Sequence, residues 1–127
     1  MILIVDDDRV QGRALELFAE QCGMKAVLVD SGEEALKRFS SDSADYRAVV
    51  MDWKLPGIDG LECTRQLRKL ENSSESAIPI IGITGYAPLL SKDQCLAAGM
   101  NDYLVKPITL EQFKIMVNLY IDQGPSD

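Results

Sequence analysis

The feature that most constrains the fold of this 127-residue chain is a series of five short apolar runs. They occupy residues 2–5, 26–29, 48–51, 78–83 and 103–105, and each has the length of a β-strand. Four of the runs are nearly continuous rather than alternating. This pattern is expected of parallel strands covered on both faces, although runs this short do not by themselves exclude buried helix.

The segments between the runs have the periodicity of amphipathic helices. One predicted apolar face comprises Val10, Ala14, Leu17, Phe18 and Cys22, and another comprises Leu110, Phe113, Val117 and Tyr120. Ser31 with Glu34 and Thr109 with Gln112 have capping-box spacing, Asp59 is a plausible N-cap, and Gly23 and Gly99 stand where helices would end. Strand and helix therefore alternate five times, which predicts an α/β fold with a doubly wound, five-stranded parallel sheet and five helices.

Composition excludes several classes of protein. The length predicts a single domain spanning residues 1–127. A net charge of -7 argues against direct binding of nucleic acid, which requires a basic face. No apolar run is long enough to cross a membrane, and the opening MILIVDDD lacks the basic flank of a signal peptide. We therefore expect a cytoplasmic protein that does not insert into membranes.

The chain contains no histidine, which excludes a Ser-His or Cys-His nucleophile pair, imidazole metal ligands and a phosphohistidine of its own. The cysteines Cys22, Cys63 and Cys95 are odd in number and lack C-x-x-C spacing. We expect them to be reduced packing residues rather than members of a disulfide framework or a zinc site.

Polar side chains follow four of the predicted strands at the carboxyl end. These are Asp6, Asp7 and Asp8 after the first strand, Asp52 after the third, Thr84 after the fourth and Lys106 after the fifth. Ligands of such sheets bind at this edge. Chain connectivity with parallel strands predicts that the first and third strands are side by side, and carboxylates about 5 Å apart there repel by roughly 3 kcal/mol at an effective dielectric constant of about 20. The cluster then requires a proton or a cation, and its oxygen ligands favour Mg²⁺.

Each of these residues also has an ordinary interpretation. Acids such as Asp8 favour the first turn of a helix, threonine often ends a strand, and most lysines are solvated cations. Together, however, the carboxylates, a metal ion, a hydroxyl donor and a fixed cation make up the groups required for phosphoryl transfer. We predict that Asp52 is the nucleophile, because carboxylates can carry phosphoryl groups as acyl phosphates.

The motifs IVDDD, MDWKLPGIDG, ITG and DYLVKPIT, in this order and spacing, resemble those of the response-regulator receiver domain of two-component signalling, from Ile2 to about Ile121. The resemblance implies a flavodoxin-like sheet with strand order 2-1-3-4-5. It also implies that Asp52 is the phosphoacceptor, that Asp7 binds Mg²⁺ directly and that Asp6 acts largely through metal-bound water.

The resemblance assigns further roles around the phosphoacceptor. The backbone carbonyl of Lys54 would complete the metal site, Thr84 would hydrogen-bond the phosphoryl group, and Lys106 would pair with it. Thr84 and Tyr103 would form the switch, in which Tyr103 moves inward. The resemblance also raises the possibility of a cis Lys106-Pro107 bond, although the sequence leaves the isomer open. We further hypothesise that Tyr86, with Lys54, controls access of the water that removes the phosphoryl group.

The implied function is a signalling switch rather than a turnover enzyme: a domain that promotes its own phosphorylation and dephosphorylation. A histidine kinase or a histidine phosphotransfer protein would supply the phosphoryl group. The face formed by the fourth helix, fifth strand and fifth helix would then bind a downstream protein. No output domain fits within 127 residues, so the output is protein binding, onward phosphotransfer or an attached domain outside this sequence.

Two alternatives belong to other classes. DDDRV also satisfies the D-x-D-x-[TV] opening of phosphatases of the haloacid-dehalogenase type, but the later acidic motif of that family has no counterpart after Lys106. The other alternative is a receiver-shaped scaffold that never carries phosphate. A missing acid or lysine would be its mark in the sequence, and neither is missing.

Overall fold

The computed structural model describes residues 1–42, 45–70, 78–85 and 92–121. Within these ranges strands and helices alternate throughout. The elements are β1 Ile2–Val5, α1 Arg9–Gln21, β2 Ala26–Val29, α2 Gly32–Asp42, β3 Ala48–Asp52, α3 Gly60–Leu70, β4 Ile80–Thr84, α4 Lys92–Ala98, β5 Asp102–Val105 and α5 Leu110–Tyr120. The predicted doubly wound α/β architecture is confirmed.

All strands pair in parallel in the order β2-β1-β3-β4-β5, as predicted. β1 lies between β2 and β3, and Val5 of β1 is paired with Met51 of β3. The residues that follow these two, Asp6 and Asp52, therefore leave neighbouring strands at the same edge. On the other side of β3, Asp52 is paired with Ile83 of β4, so Thr84 reaches that edge too.

The sheet separates two apolar cores. On one face, Leu3, Val5, Val49 and Met51 pack against residues of α2, α3 and α4. On the other face, Ile2, Ile4, Val50 and Ile81 pack against α1 and α5. Both sides of each central strand are therefore covered, which explains why the apolar runs of the sequence are nearly continuous.

The prediction for the apolar face of α1 was partly wrong. Val10 is 82% exposed and Leu17 is 41% exposed, whereas Gly12, Leu15 and Ala19 are buried. The helix lies so close to β2 that a Cβ atom on Gly12 would be 2.7 Å from Leu28 Cδ1. Leu15 and the small residues Gly12 and Ala19 thus lie on the buried side of the helix, whereas Val10 and Leu17, at the edge of the predicted face, point outwards.

The predicted helix ends are mostly confirmed. The Asp8 carboxylate accepts hydrogen bonds from the amides of Val10 and Gln11, and Thr109 forms a complete capping box with Gln112. At other helix starts, Asp59 accepts from the amide of Glu62, and Ser31 accepts from the amide of Glu34. Gly23 and Gly99 follow helices with positive φ values of 78° and 107°.

Strand boundaries differ slightly from the predictions. β4 comprises Ile80–Thr84 rather than residues 78–83, β5 begins at Asp102 rather than at residue 103, and β3 extends to Asp52. The extension matters for the site, because it makes Asp52 the last residue of a buried strand. Among the helices described here, none has the length and apolar character that a membrane crossing requires.

The cysteines are free, as predicted. Cys63 and Cys95 are buried, and burial raises the pKa of their thiols to about 12 and about 11. Neutral thiols of this kind pack as small apolar groups.

Candidate active site

Three carboxylates meet at the carboxyl edge of the sheet. Asp6 and Asp7 follow β1 and Asp52 ends β3, and each contributes one oxygen to a set of three atoms that lie within 4.8 Å of one another. Asp6 and Asp52 are buried, with 1% and 3% of their surface exposed, whereas Asp7 is exposed. The predicted meeting of the first and third strands is confirmed, and the repulsion between the ionised groups is about 3 kcal/mol per pair at an effective dielectric constant of about 20.

The Asp6 carboxyl has a raised pKa and one oxygen without a hydrogen-bond partner among the described residues. Its Oδ1 atom accepts the amide of Asp8 at 2.9 Å, whereas Oδ2 is a buried side-chain oxygen without a hydrogen-bond partner among the described residues. Burial, and to a lesser extent the nearby Asp52 carboxylate, raises the pKa of Asp6 from 3.8 to about 7. A buried carboxylate with an unpaired oxygen is costly, and either a proton or a cation relieves that cost.

Asp52 is held by two donors. The amide of Lys54 donates to Oδ1 at 3.2 Å, and the Nζ atom of Lys106 donates to Oδ2 at 3.2 Å. The Lys106 side chain is about a third exposed, so it reaches from the Asp52 carboxylate to solvent. A carboxylate that is buried but paired with a fixed cation stays oriented and can react as a nucleophile.

Thr84 and Lys106 are neighbours through the backbone of β4 and β5. The amide of Lys106 donates to the carbonyl oxygen of Thr84 at 2.8 Å, and Thr84 is buried. The structure thus brings the predicted hydroxyl residue and the predicted cation to the edge that holds Asp52. The Lys106-Pro107 bond is cis, one of the two isomers that the sequence left open.

Tyr103, the predicted switch residue, is half-buried and packs against the ring of Trp53, with ring centroids 5.9 Å apart. The indole of Trp53 is buried in the core beneath the sheet, where Nε1 donates to the Sδ atom of Met100 at 3.3 Å. One aromatic contact therefore connects the residue after Asp52 with β5. Tyr86, which is predicted to control access of water together with Lys54, lies outside the described residues.

Sequence reasoning missed Gly60, the first residue of α3. Its amide donates to the carbonyl of Trp53 at 3.0 Å, and a Cβ atom there would meet the carbonyl oxygen of Asp52 and would be 2.9 Å from the Cα atom of Trp53. Only glycine allows α3 to begin so close to the backbone of the reactive strand. The sequence signal was a glycine directly after the predicted N-cap, Asp59.

The donor set fits a hard divalent cation. Three carboxylates carry three negative charges when ionised, and Lys106 supplies one positive charge. The unpaired Oδ2 of Asp6 offers a free lone pair in the same cluster. Oxygen ligands of this kind suit Mg²⁺, and a dication would balance the remaining charge. Asp6, Asp7 and Asp52 could therefore hold a metal ion.

Comparison with known proteins agrees with the resemblance seen in the sequence motifs. The family model of the response regulator receiver domain matches residues 2–118. The chain is 33% identical over 117 residues to the sensor histidine kinase GacS of Pseudomonas protegens, and 40% identical over 111 residues to the response regulator MprA of Mycolicibacterium vanbaalenii. The matches cover 91% and 87% of this chain but only 12% and 46% of those proteins, so the chain spans a part of each relative.

Solved structures show the same likeness. The receiver domain of the sensor histidine kinase PA1611 from Pseudomonas aeruginosa, with a magnesium ion coordinated in its active-site cleft, aligns with a TM-score of 0.82 at 34% identity and covers 94% of this chain and 95% of that one. The receiver domain of Ssk1 from Saccharomyces cerevisiae, crystallised with the histidine phosphotransfer protein Ypd1, aligns with a TM-score of 0.84 at 25% identity and covers 94% and 87%.

Proposed function

The chain belongs to the receiver-domain family of response regulators, the signalling domains of two-component systems, and from this membership we propose that it is a phosphoacceptor switch. Asp52 accepts a phosphoryl group from a histidine kinase or a histidine phosphotransfer protein in a Mg²⁺-dependent reaction. The switch acts in the cytoplasm, and the modified domain then changes its affinity for a downstream protein or an attached domain.

The observation that carries the proposal is the environment of Asp52. Its buried carboxylate contacts the Lys106 ammonium at 3.2 Å and lies in a cluster with the carboxylates of Asp6 and Asp7. An ordinary surface acid has neither a fixed cation nor two further acids beside it. This combination supports a nucleophile whose product, an acyl phosphate, carries more negative charge than the free carboxylate.

In the proposed reaction, a carboxylate oxygen of Asp52 forms a bond to phosphorus while the bond between phosphorus and the imidazole nitrogen of the donor breaks. The released imidazole nitrogen takes up a proton from solvent. Lys106 stays paired with the anionic oxygens as the phosphoryl group moves. Asp6, Asp7, Asp52 and the backbone carbonyl of Lys54 would hold Mg²⁺, which when bound would neutralise charge on the transferring group.

The proposed output follows from Thr84 and Tyr103. A phosphoryl group on Asp52 offers acceptor oxygens to the Thr84 hydroxyl, and movement of Thr84 changes the space available to the half-buried Tyr103. The neighbouring elements α4, β5 and α5 carry exposed apolar side chains. These are Leu96, Val105, Ile115 and Leu119. Their exposure supports these elements as the surface that a downstream protein binds.

The proposal is tested by transfer of labelled phosphate from a phosphohistidine-bearing transfer protein, with Mg²⁺ or with EDTA. We expect acid-stable, base-labile label on the wild-type chain with Mg²⁺, little label with EDTA or in Asp7→Ala, and none in Asp52→Asn. Absence of label on the wild-type chain from several such donors and from a small phosphodonor would favour a scaffold. Repeated turnover of p-nitrophenyl phosphate would favour the phosphatase alternative, which the family match disfavours.

A further inference from the structure

The loop between β3 and α3, residues 53–59, is contacted by a side chain from a different part of the chain. The Oε2 atom of Glu33, in the first turn of α2, accepts a hydrogen bond from the backbone amide of Ile58 at 3.2 Å. The two residues are separated by 25 positions in the sequence.

Gly57 shows how closely this carboxylate fits the loop. A Cβ atom on Gly57 would be 2.6 Å from Oε2 of Glu33 and 3.1 Å from Oε1, and the φ angle of Gly57 is +76°. The left-handed backbone turns the amide of Ile58 towards α2, and the missing side chain leaves space for the carboxylate. The tip of the loop is therefore built around Glu33.

The same loop is held at both of its ends by backbone amides. At the start of the loop, the amide of Lys54 donates to Oδ1 of Asp52. At its end, the amide of Gly60 donates to the carbonyl of Trp53. Glu33 supplies a third hydrogen bond, at the tip. The backbone carbonyl of Lys54, the proposed metal ligand, lies between these points, so its orientation depends on the shape of the whole loop.

We propose that Glu33 is a positioning residue for the metal site: it holds the β3–α3 loop so that the Lys54 carbonyl points into the cluster of Asp6, Asp7 and Asp52. This inference rests on the proposed Mg²⁺-dependent function. Glu33 acts through the loop and does not itself contact the metal ion. The property of Glu33 that matters is an acceptor oxygen placed at the Ile58 amide, not its negative charge.

Two simpler roles predict different results. Glu33 could favour Mg²⁺ only as one more negative charge near the pocket, in which case removal of the charge alone would weaken binding. It could also serve only the amino end of α2, where acids interact favourably with the helix dipole. Glu34 shares that first turn and that charge, and its carboxylate pairs with Arg38 instead of the loop. Glu34 is therefore a matched control.

The experiment measures Mg²⁺ affinity by calorimetry for the wild-type chain, Glu33→Ala, Glu33→Gln and Glu34→Ala. We expect Glu33→Ala to weaken binding about fivefold, equivalent to about 1 kcal/mol at 25 °C. Glu33→Gln, which keeps an acceptor oxygen but loses the charge, should stay within about twofold of wild type on the same scale, as should Glu34→Ala. Equal weakening in Glu33→Ala and Glu33→Gln would overturn the positioning role in favour of charge.

A second readout needs no metal ion. In EDTA, hydrogen exchange of the Ile58 amide should be about tenfold faster in Glu33→Ala than in wild type, while exchange in β1 and α5 is unchanged, because a protecting contact worth about 1.4 kcal/mol changes the opening equilibrium tenfold. Unchanged exchange together with unchanged Mg²⁺ affinity would refute the inference. If the wild-type chain binds Mg²⁺ no better than Asp7→Ala, the proposed metal site fails instead, and the exchange result separates the two failures.

Discussion

Asp6→Asn should change how the stability of the metal-free protein depends on pH. Burial raises the pKa of Asp6 from 3.8 to about 7 in the folded chain, and repulsion by Asp52 adds to this effect. In the unfolded chain the group titrates near its ordinary value. Between these two pKa values the folded state therefore binds more protons than the unfolded state, so the free energy of unfolding falls as pH rises.

The magnitude follows from the two pKa values. A shift of this size is worth about 4 kcal/mol in total at about 1.4 kcal/mol per pKa unit. The range from pH 5 to pH 8 covers only the upper part of the interval between the two pKa values. Over this range the free energy of unfolding of the wild-type chain should fall by about 3 kcal/mol because of Asp6. The full penalty is present above pH 7, and it disappears when Asp6 is protonated in both states.

The assay is urea unfolding at several pH values in EDTA, followed by the fluorescence of the buried Trp53. Asn keeps the oxygen that accepts the Asp8 amide and removes the titration, so the difference in unfolding free energy between variant and wild type isolates Asp6 from the other acids. That difference should grow by about 3 kcal/mol in favour of the variant from pH 5 to pH 8. Parallel pH profiles, with a constant difference, would refute the reasoning.

Other positions give further predictions. Adding Mg²⁺ should change the fluorescence of Trp53, and Asp7→Ala should greatly weaken the response in a titration; an identical response would remove Asp7 from the metal site. Gly82→Ala should lower the free energy of unfolding by about 1–3 kcal/mol in urea denaturation, because a Cβ atom there would meet the indole of Trp53 and would be 2.7 Å from Sδ of Met100. Tyr86→Ala should shorten the half-life of the phosphorylated chain by admitting water, and an unchanged half-life would contradict that role.

The sheet and most positions of the site could be predicted from the sequence because both depend on patterns within short segments of the chain. Apolar runs identify strands, and in a parallel sheet the residue after each strand must reach the same edge. Asp6, Asp52, Thr84 and Lys106 could therefore be placed together without coordinates. Chain connectivity predicted that the first and third strands are neighbours, and the full strand order came from the family resemblance, since periodicity alone does not determine it.

Features that depend on contacts between distant segments could not be predicted in this way. The face of α1 was misjudged because its exposed Val10 and Leu17 continue the apolar pattern, while Gly12 permits the close approach to β2. The contact of Glu33 with the loop at Ile58 joins two segments with no shared periodicity. The raised pKa of Asp6 likewise follows from burial of its side chain, and a run of three acids in the sequence does not predict that burial.

The most direct measurement is the number and position of phosphoryl groups after incubation with a small phosphodonor and Mg²⁺, determined by intact-mass and peptide mass spectrometry. We predict a single phosphoryl group on Asp52 that requires Mg²⁺, is absent from Asp52→Asn, and is strongly reduced in Lys106→Ala. A wild-type chain that stays unmodified, or an Asp52→Asn variant modified to the same extent, would contradict the role of this carboxylate as the acceptor.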